Sequence, residues 1–200
     1  MVTIKTVLRS GGVYTAEHVL RMRDMIEQHV RIPYKFVCYS DVPIEGVETR
    51  ELLHDWPGWW SKLEIFRDVE ESFYIDLDMT ITGDISDIVA VETEFMALRN
   101  LNPKIAGIGS AMMKWSGDFK RFYQLFRCDP HHVTESFGLD KVGTPWLGDQ
   151  GWIWSIHQDS EETFDLKYFQ DRFPNRIKKF TQIGGDIKVY FGSNKPWTRG

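Results

Sequence analysis

The spacing of apolar residues changes along the chain, and each change marks an element. Val2–Leu8 alternates apolar and polar residues and predicts a strand. Ser10-Gly11-Gly12 breaks it. Across residues 15–30, Val19, Leu20, Met22, Met25, Ile26 and Val30 recur at helical spacing, with Pro33 just beyond. Tyr34–Ser40 predicts a second strand, ended by Asp41, Pro43 and Gly46, and residues 47–53 a short third. Leu63, Ile65, Phe66 and Val69 predict a helix over 61–70, and Ser72–Ile75 is an apolar strand running into Asp76-Leu77-Asp78. Further on, residues 94–99 and 110–115 read as strands and 118–126 as a helix with Asp118 as N-cap. Residues 145–157 form a Trp-rich stretch, and 188–191 a last short strand. Strands alternating with helices predict an α/β fold, with a mostly parallel central sheet flanked by helices. The closely spaced later strands predict a smaller mixed or antiparallel extension. No repeat or linker interrupts the pattern, so residues 1–200 read as one domain.

Composition narrows the class. The chain is 42% hydrophobic and 26% charged, which suits a globular protein rather than a disordered one. A net charge of −5 disfavours a general nucleic-acid binder, whose surface would be basic. No apolar run approaches the ~20 residues of a membrane span. The first residues lack the apolar core of a signal peptide. With only Cys38 and Cys128, no disulfide framework is expected, and a reducing, cytoplasmic location is. Aromatic residues reach 14%, with eight tryptophans, six of them in two groups: Trp56, Trp59, Trp60 and Trp146, Trp152, Trp154.

Ligands of parallel sheets bind beyond the carboxyl ends of the strands. Asp41 and the Asp76/Asp78 pair both fall at such ends. Residues two apart on an extended segment share a face, and two carboxylates on one face suit Mg²⁺ or Mn²⁺, with water and phosphates completing the shell. The alternative is a solvated turn, and the residues alone leave the two open. No Gly-x-x-x-x-Gly-Lys-Ser/Thr phosphate loop is present.

Trp60-Ser61-Lys62-Leu63-Glu64-Ile65-Phe66, then Phe73-Tyr74-Ile75-Asp76-Leu77-Asp78-Met79, then Gly83-Asp84-Ile85-Ser86-Asp87-Ile88 resembles the central block of GT-A glycosyltransferases, specifically the glycogenin-like and bacterial lipopolysaccharide galactosyltransferase group. Leu147-Gly148-Asp149-Gln150-Gly151 is similar to that family's Asp-Gln-Gly segment. Gly192-Ser193-Asn194-Lys195-Pro196-Trp197 is similar to its Gly-x-x-Lys-Pro-Trp ending, and Gly109-Ser110-Ala111-Met112-Met113 is a weaker match.

The resemblance implies a GT-A-like fold, a nucleotide-sugar donor, usually a UDP-sugar, and transfer to a hydroxyl acceptor with retention, aided by Mn²⁺ or Mg²⁺. It implies that Asp76 and Asp78 bind the metal, and that Asp149 and Gln150 lie by the anomeric carbon. Leu8, Arg9, Tyr14, Asp41, Lys62, Asp76, Leu77, Gly192 and Lys195 would line the nucleotide-sugar, with Trp197 on the pocket floor. Asp149 also reads as a helix N-cap. The family's metal-binding histidine near the last strand has no counterpart in Lys188-Val189-Tyr190-Phe191-Gly192, and His131 and His132 read as loop residues. Trp59, beside Gly58, is the candidate for an acceptor surface. The acceptor itself (glycan, lipid-linked or protein) is not legible. The alternative function is a non-catalytic nucleotide- or carbohydrate-binding module on the same fold.

Overall fold

The computed structural model describes residues 1–159 and 163–198. Its main sheet has seven strands in the order β3-β2-β1-β4-β7-β6-β8. These are β1 (Val2–Leu8), β2 (Tyr34–Ser40), β3 (Glu48–Glu51), β4 (Ser72–Ile75), β6 (Phe95–Arg99), β7 (Ile108–Trp115) and β8 (Leu166–Tyr168). Every neighbouring pair is parallel except at β7, which runs antiparallel to both β4 and β6. A small sheet joins β5 (Thr80–Ile81), β10 (Ile187–Val189) and β9 (Ile177–Lys179), antiparallel then parallel. The expected α/β architecture with a mixed extension is therefore observed.

Strand alternation splits the core into two layers. Phe73 and Ile75 of β4 join Val2, Ile4 and Leu8 on one face, packed against Val19, Met22 and Ile26 of α1 (Ala16–His29). Tyr74 points to the other face with Val37, Tyr39, Met113 and Trp115. That face is covered by the segment Gly58–Arg67, by α3 (Lys120–Cys128) and by α5 (Gly148–Gln158). Gly58–Arg67 is a 3₁₀-helix rather than the regular helix predicted over 61–70. Trp60 to Phe66 are buried without interruption, so it has no solvent face to give a 3.6-residue pattern. Glu64, fully buried within it, accepts the backbone N–H groups of Leu53 and His54 at 2.8 and 3.0 Å.

Three local expectations are corrected. His131 and His132 lie in a helix, α4 (Pro130–Ser136), whose start is capped by Asp129 accepting from His132 N–H at 3.0 Å. Asp118 precedes the N-cap of α3 (Phe119) by one residue, although its carboxylate still accepts from Lys120 N–H at 2.9 Å. Helix α5 begins at Gly148, so Asp149 sits inside its first turn and caps nothing. Two short helices complete the chain order, α2 (Ser86–Val89) before β6 and α6 (Phe169–Arg172) after β8.

The layout fixes where a ligand belongs. From β1 the chain moves to β2 on one side of the sheet, then returns to β4 on the other. The crevice beyond the carboxyl ends of β1 and β4 is thus the switch point at which such sheets bind ligands. Leu8-Arg9 leaves β1 there, and Asp76 leaves β4.

Candidate nucleotide-sugar site

Asp76 ends β4. Its N–H still donates to Ala111 O of β7 at 2.8 Å, and Met79 N–H then closes a turn onto Asp76 O at 3.2 Å. The Asp-x-Asp motif therefore sits in a turn and not on an extended face, as the sequence argument assumed. The two carboxylates consequently have different partners.

Asp76 accepts a short hydrogen bond from the Tyr74 hydroxyl and lies 3.3 Å from Lys62 Nζ. Lys62 Nζ also reaches Asp149 Oδ2 at 2.9 Å and donates to Ser110 Oγ at 3.1 Å. Burial alone would lower the Lys62 pKa, but the charges of Asp149 and then Asp76 outweigh it and raise it. The buried ammonium is therefore firmly charged, and it ties the end of β4 to the first turn of α5. Asp76 keeps 27% of its side-chain surface accessible. Its pKa is raised to about 6 chiefly by burial; Lys62 opposes that, while Asp78 and Asp149 add to it.

Asp78 is gripped from the other side. Its Oδ2 accepts from Tyr14 Oη at 3.0 Å and from Lys195 Nζ at 2.5 Å, and Lys195 Nζ lies 3.1 Å from the same Tyr14 oxygen. Burial first, then Asp78 and Asp76, raise the Tyr14 pKa, so its hydroxyl stays protonated and donates. Trp197 packs edge-on against Tyr14 and His18, with ring centroids 5.8 and 4.1 Å away, and beneath the Arg21 guanidinium at 5.3 Å. Arg21 in turn donates to Leu77 O at 2.7 Å. Residues from both ends of the chain thus meet at the end of β4.

The other expected residues divide. Asp41 accepts from Ser10 N–H at 2.8 Å and Ser10 Oγ at 2.6 Å, with Arg9 Nε 3.7 Å away. It clamps the β1 and β2 ends together. Arg9 also pairs with Asp55 and donates to His54 O at 3.3 Å. Leu8 and Leu77 give their side chains to the core, which leaves only their backbones for a ligand. Gly192 is exposed at φ +62°, with open space where a Cβ would stand. Gln150 is half-buried beside Asp149.

Trp59 and Trp146 are each 40% exposed, whereas Trp56, Trp60 and Trp115 are core residues. Trp59 lies against Gly148, where an added Cβ would fall 3.0 Å from its Nε1. Trp146 precedes α5, and an added Cβ on Gly151 would fall 2.3 Å from its backbone carbonyl carbon. These two tryptophans therefore adjoin the turn that carries Asp149.

Tyr74, Ser110 and Arg21 were not singled out in the sequence. Tyr74 was findable, because a residue two before Asp76 on a strand shares its side. Ser110 was signalled only by its weakly matching block, and Arg21 reaches the site through tertiary packing alone.

Two carboxylates at one strand end suit a divalent cation that takes its other ligands from water and phosphate. Among the described residues, no group of three or more His, Cys, Asp or Glu is placed to enclose a metal. The residues therefore fit a metal that arrives with phosphate, and not a metal caged by protein alone.

No protein-family model and no curated protein sequence matches the chain. Its fold is similar to that of the glycosyltransferase GlyE of Streptococcus pneumoniae TIGR4, with a TM-score of 0.69 over 100% of this chain at 14% identity. The chain spans 57% of GlyE. It is also similar to the galactosyltransferase LgtC solved with donor and acceptor sugar analogs, with a TM-score of 0.65 over 98% of this chain and 90% of LgtC at 12% identity. At such identities the likeness is one of fold: the sheet and its extension are arranged as in these GT-A glycosyltransferases.

Proposed function

We propose that this chain is a metal-dependent glycosyltransferase domain, moving a sugar from a nucleoside-diphosphate sugar, UDP-linked by preference, to a hydroxyl acceptor. The observation that carries the reading is the meeting of Asp76, Asp78, Asp149, Lys62 and Lys195 at the switch point of a glycosyltransferase-like sheet. Asp76 and Asp78 are the residues that would hold Mn²⁺ or Mg²⁺. When bound, the metal supplies positive charge to the departing diphosphate.

The chain's own residues do the rest. Lys62 fixes Asp149 relative to Asp76, so the donor sugar and its phosphates are positioned by one ammonium. Lys195 supplies a second positive charge at the phosphates. Arg9, Tyr14, Asp41, the backbones of Leu8 and Leu77, and Gly192 line the nucleoside side. Asp149 and Gln150 face the anomeric carbon. Asp149 is buried and ion-paired and an amide is a poor nucleophile, so the retention that the resemblance implies would follow a front-face route and not a covalent intermediate. In that route the acceptor hydroxyl attacks C1 as the C1–phosphate bond breaks, and its proton passes to the leaving phosphate. Trp59 offers an apolar face to the acceptor.

A thermal-shift series tests the reading. UDP with Mn²⁺ at a hundred times its Kd stabilises a binding-competent fold by about 2.7 kcal/mol. No shift with any nucleoside diphosphate, with or without metal, contradicts it. A non-catalytic binding module is the second reading. It is favoured by the fact that both motif carboxylates already have lysine partners, and it predicts nucleotide binding without sugar release from any donor.

A further inference from the structure

The small sheet turns one face outward. Ile177 of β9 and Ile187 and Val189 of β10 are buried, so Lys178 and Lys188 between them point to the other side. Register pairs these two lysines with each other, and Lys188 with Thr80 of β5. Two residues further along each strand, Phe180 and Tyr190 stack at 5.4 Å and 10°. The loop that joins β9 to β10 carries Ile183, which is 99% exposed, more than any other large apolar side chain among the described residues. That exposure is built in. Lys188 Nζ donates to the carbonyls of Gln182 and Gly184, on either side of Ile183, the second at 2.5 Å. Gln182 Oε1 accepts from Lys179 N–H at 3.0 Å, and Gly184 and Gly185 turn the chain at φ +72° and +82°. A Cβ on Gly185 would fall 2.7 Å from Lys178 Cγ, so the loop rests on the stem of that lysine.

Charge gathers around the same loop. Residues 172–191 hold five cations, Arg172, Arg176, Lys178, Lys179 and Lys188, and one carboxylate, Asp186, in a chain of net charge −5. Arg176 is taken by Asp87 and Asp186. Lys178 and Lys188 bond to neutral oxygens, Asn175 Oδ1 and the two loop carbonyls, so those bonds cancel none of their charge. One exposed isoleucine covers a small part of the ~800 Å² per side that a stable protein interface needs, whereas a bilayer takes up an isolated apolar tip. Cations around such a tip suit anionic headgroups. We propose that the β9–β10 loop docks this chain on an anionic lipid surface, with Ile183 entering the apolar layer and Lys178, Lys179 and Lys188 at the headgroups. Thr80 lies two residues beyond Asp78, and β10 leads into Gly192 and Lys195, so a bilayer at this face adjoins the proposed donor site. Resting on the reading above, docking would bring that site to an acceptor carried by a lipid.

Sedimentation of the full chain with vesicles tests the proposal, comparing phosphatidylcholine alone with phosphatidylcholine mixed with phosphatidylglycerol. Wild type is expected to bind the anionic vesicles on the order of a hundredfold tighter than the neutral ones, and to lose that preference as salt rises. Lys178→Gln and Lys179→Gln are each expected to weaken anionic binding about fivefold, the second serving if the first does not fold. Ile183→Ser changes a side chain that stands in solvent, so its melting temperature stays that of wild type, and its vesicle binding falls on the order of tenfold. Equal binding to both kinds of vesicle, no binding to either, unchanged binding in both lysine variants, or full affinity in Ile183→Ser overturns the docking. So does a concentration-dependent dimer in light scattering that Ile183→Ser abolishes while vesicles stay unbound, which makes a second copy the occupant. Ile183, Lys178 and Lys179 are not among the residues assigned to the donor site. Nucleoside-diphosphate release from soluble donors therefore separates failure of the docking from failure of the site reading.

Discussion

Lys62 shows how much depends on a single residue. Its ammonium is buried between two carboxylates, 3.3 and 2.9 Å away. Lys62→Met would leave those charges without their cation, and such losses cost about 3–5 kcal/mol. Urea denaturation of that variant should show a loss of this order, whereas a loss under ~1 kcal/mol would mean the carboxylates find other partners. Glu70 is a second case, remote from the site. It pairs with Arg50 at 2.5 Å and with the buried Lys5 at 3.0 Å. Burial would raise its pKa, but Arg50 and Lys5 bring it down to about 2. A carboxylate depressed in the folded state stabilises fully above its unfolded pKa, near 4.5, and loses that contribution as pH falls toward 2. Glu70→Gln should therefore lower the melting temperature at pH 7, with the gap to wild type closing between pH 4.5 and 2. A gap that does not change with pH would contradict the pairing. Asp76 and Asp78 were legible as a pair because they end an apolar strand. The resemblance placed Lys62 and Lys195 at the site, but their pairing with Asp76 and Asp78 was not legible, because the partners are 14 and 117 positions apart.

At the scale of elements, burial decided what was readable. Strands β1, β2 and β4 have the residue bounds expected from the pattern, since apolar runs bounded by glycine, proline or aspartate leave few alternatives. The 3₁₀ character of Gly58–Arg67 was not visible, because continuous burial erases the periodicity on which the argument depends. Strands β8 and β9 have three residues each, too few to show any period, and their partners lie far away in sequence. Helix α5 carries the strongest element-level prediction. Gly151 lets its first turn press on the backbone of Trp146, where an added Cβ would fall 2.3 Å from the carbonyl carbon. Gly151→Ala must push α5 away and with it Asp149. It should cost about 1–3 kcal/mol in urea denaturation and weaken nucleotide-sugar turnover together. Wild-type stability in that variant would show that the turn is looser than described.

The whole molecule brings its ends together around one strand terminus. Tyr14 from the segment before α1, Asp78 beyond β4 and Lys195 beyond β10 form one hydrogen-bonded group. That closure was implied in sequence only by the order of the matched blocks. The abundance of tryptophan also takes on meaning at this scale. Five of the eight tryptophans are buried or half-buried, while Trp59 and Trp146 flank the turn of Asp149 and Trp197 backs Tyr14. The central claim is that this assembly transfers sugar from a nucleoside-diphosphate donor. The most direct measurement is nucleoside-diphosphate release from a panel of UDP- and GDP-sugars with Mn²⁺, comparing wild type with Asp78→Asn. The account predicts release from at least one donor by wild type and a loss on the order of a hundredfold or more in Asp78→Asn, as for removal of a charge-stabilising group. No release from any donor, or equal release by both proteins, would contradict it.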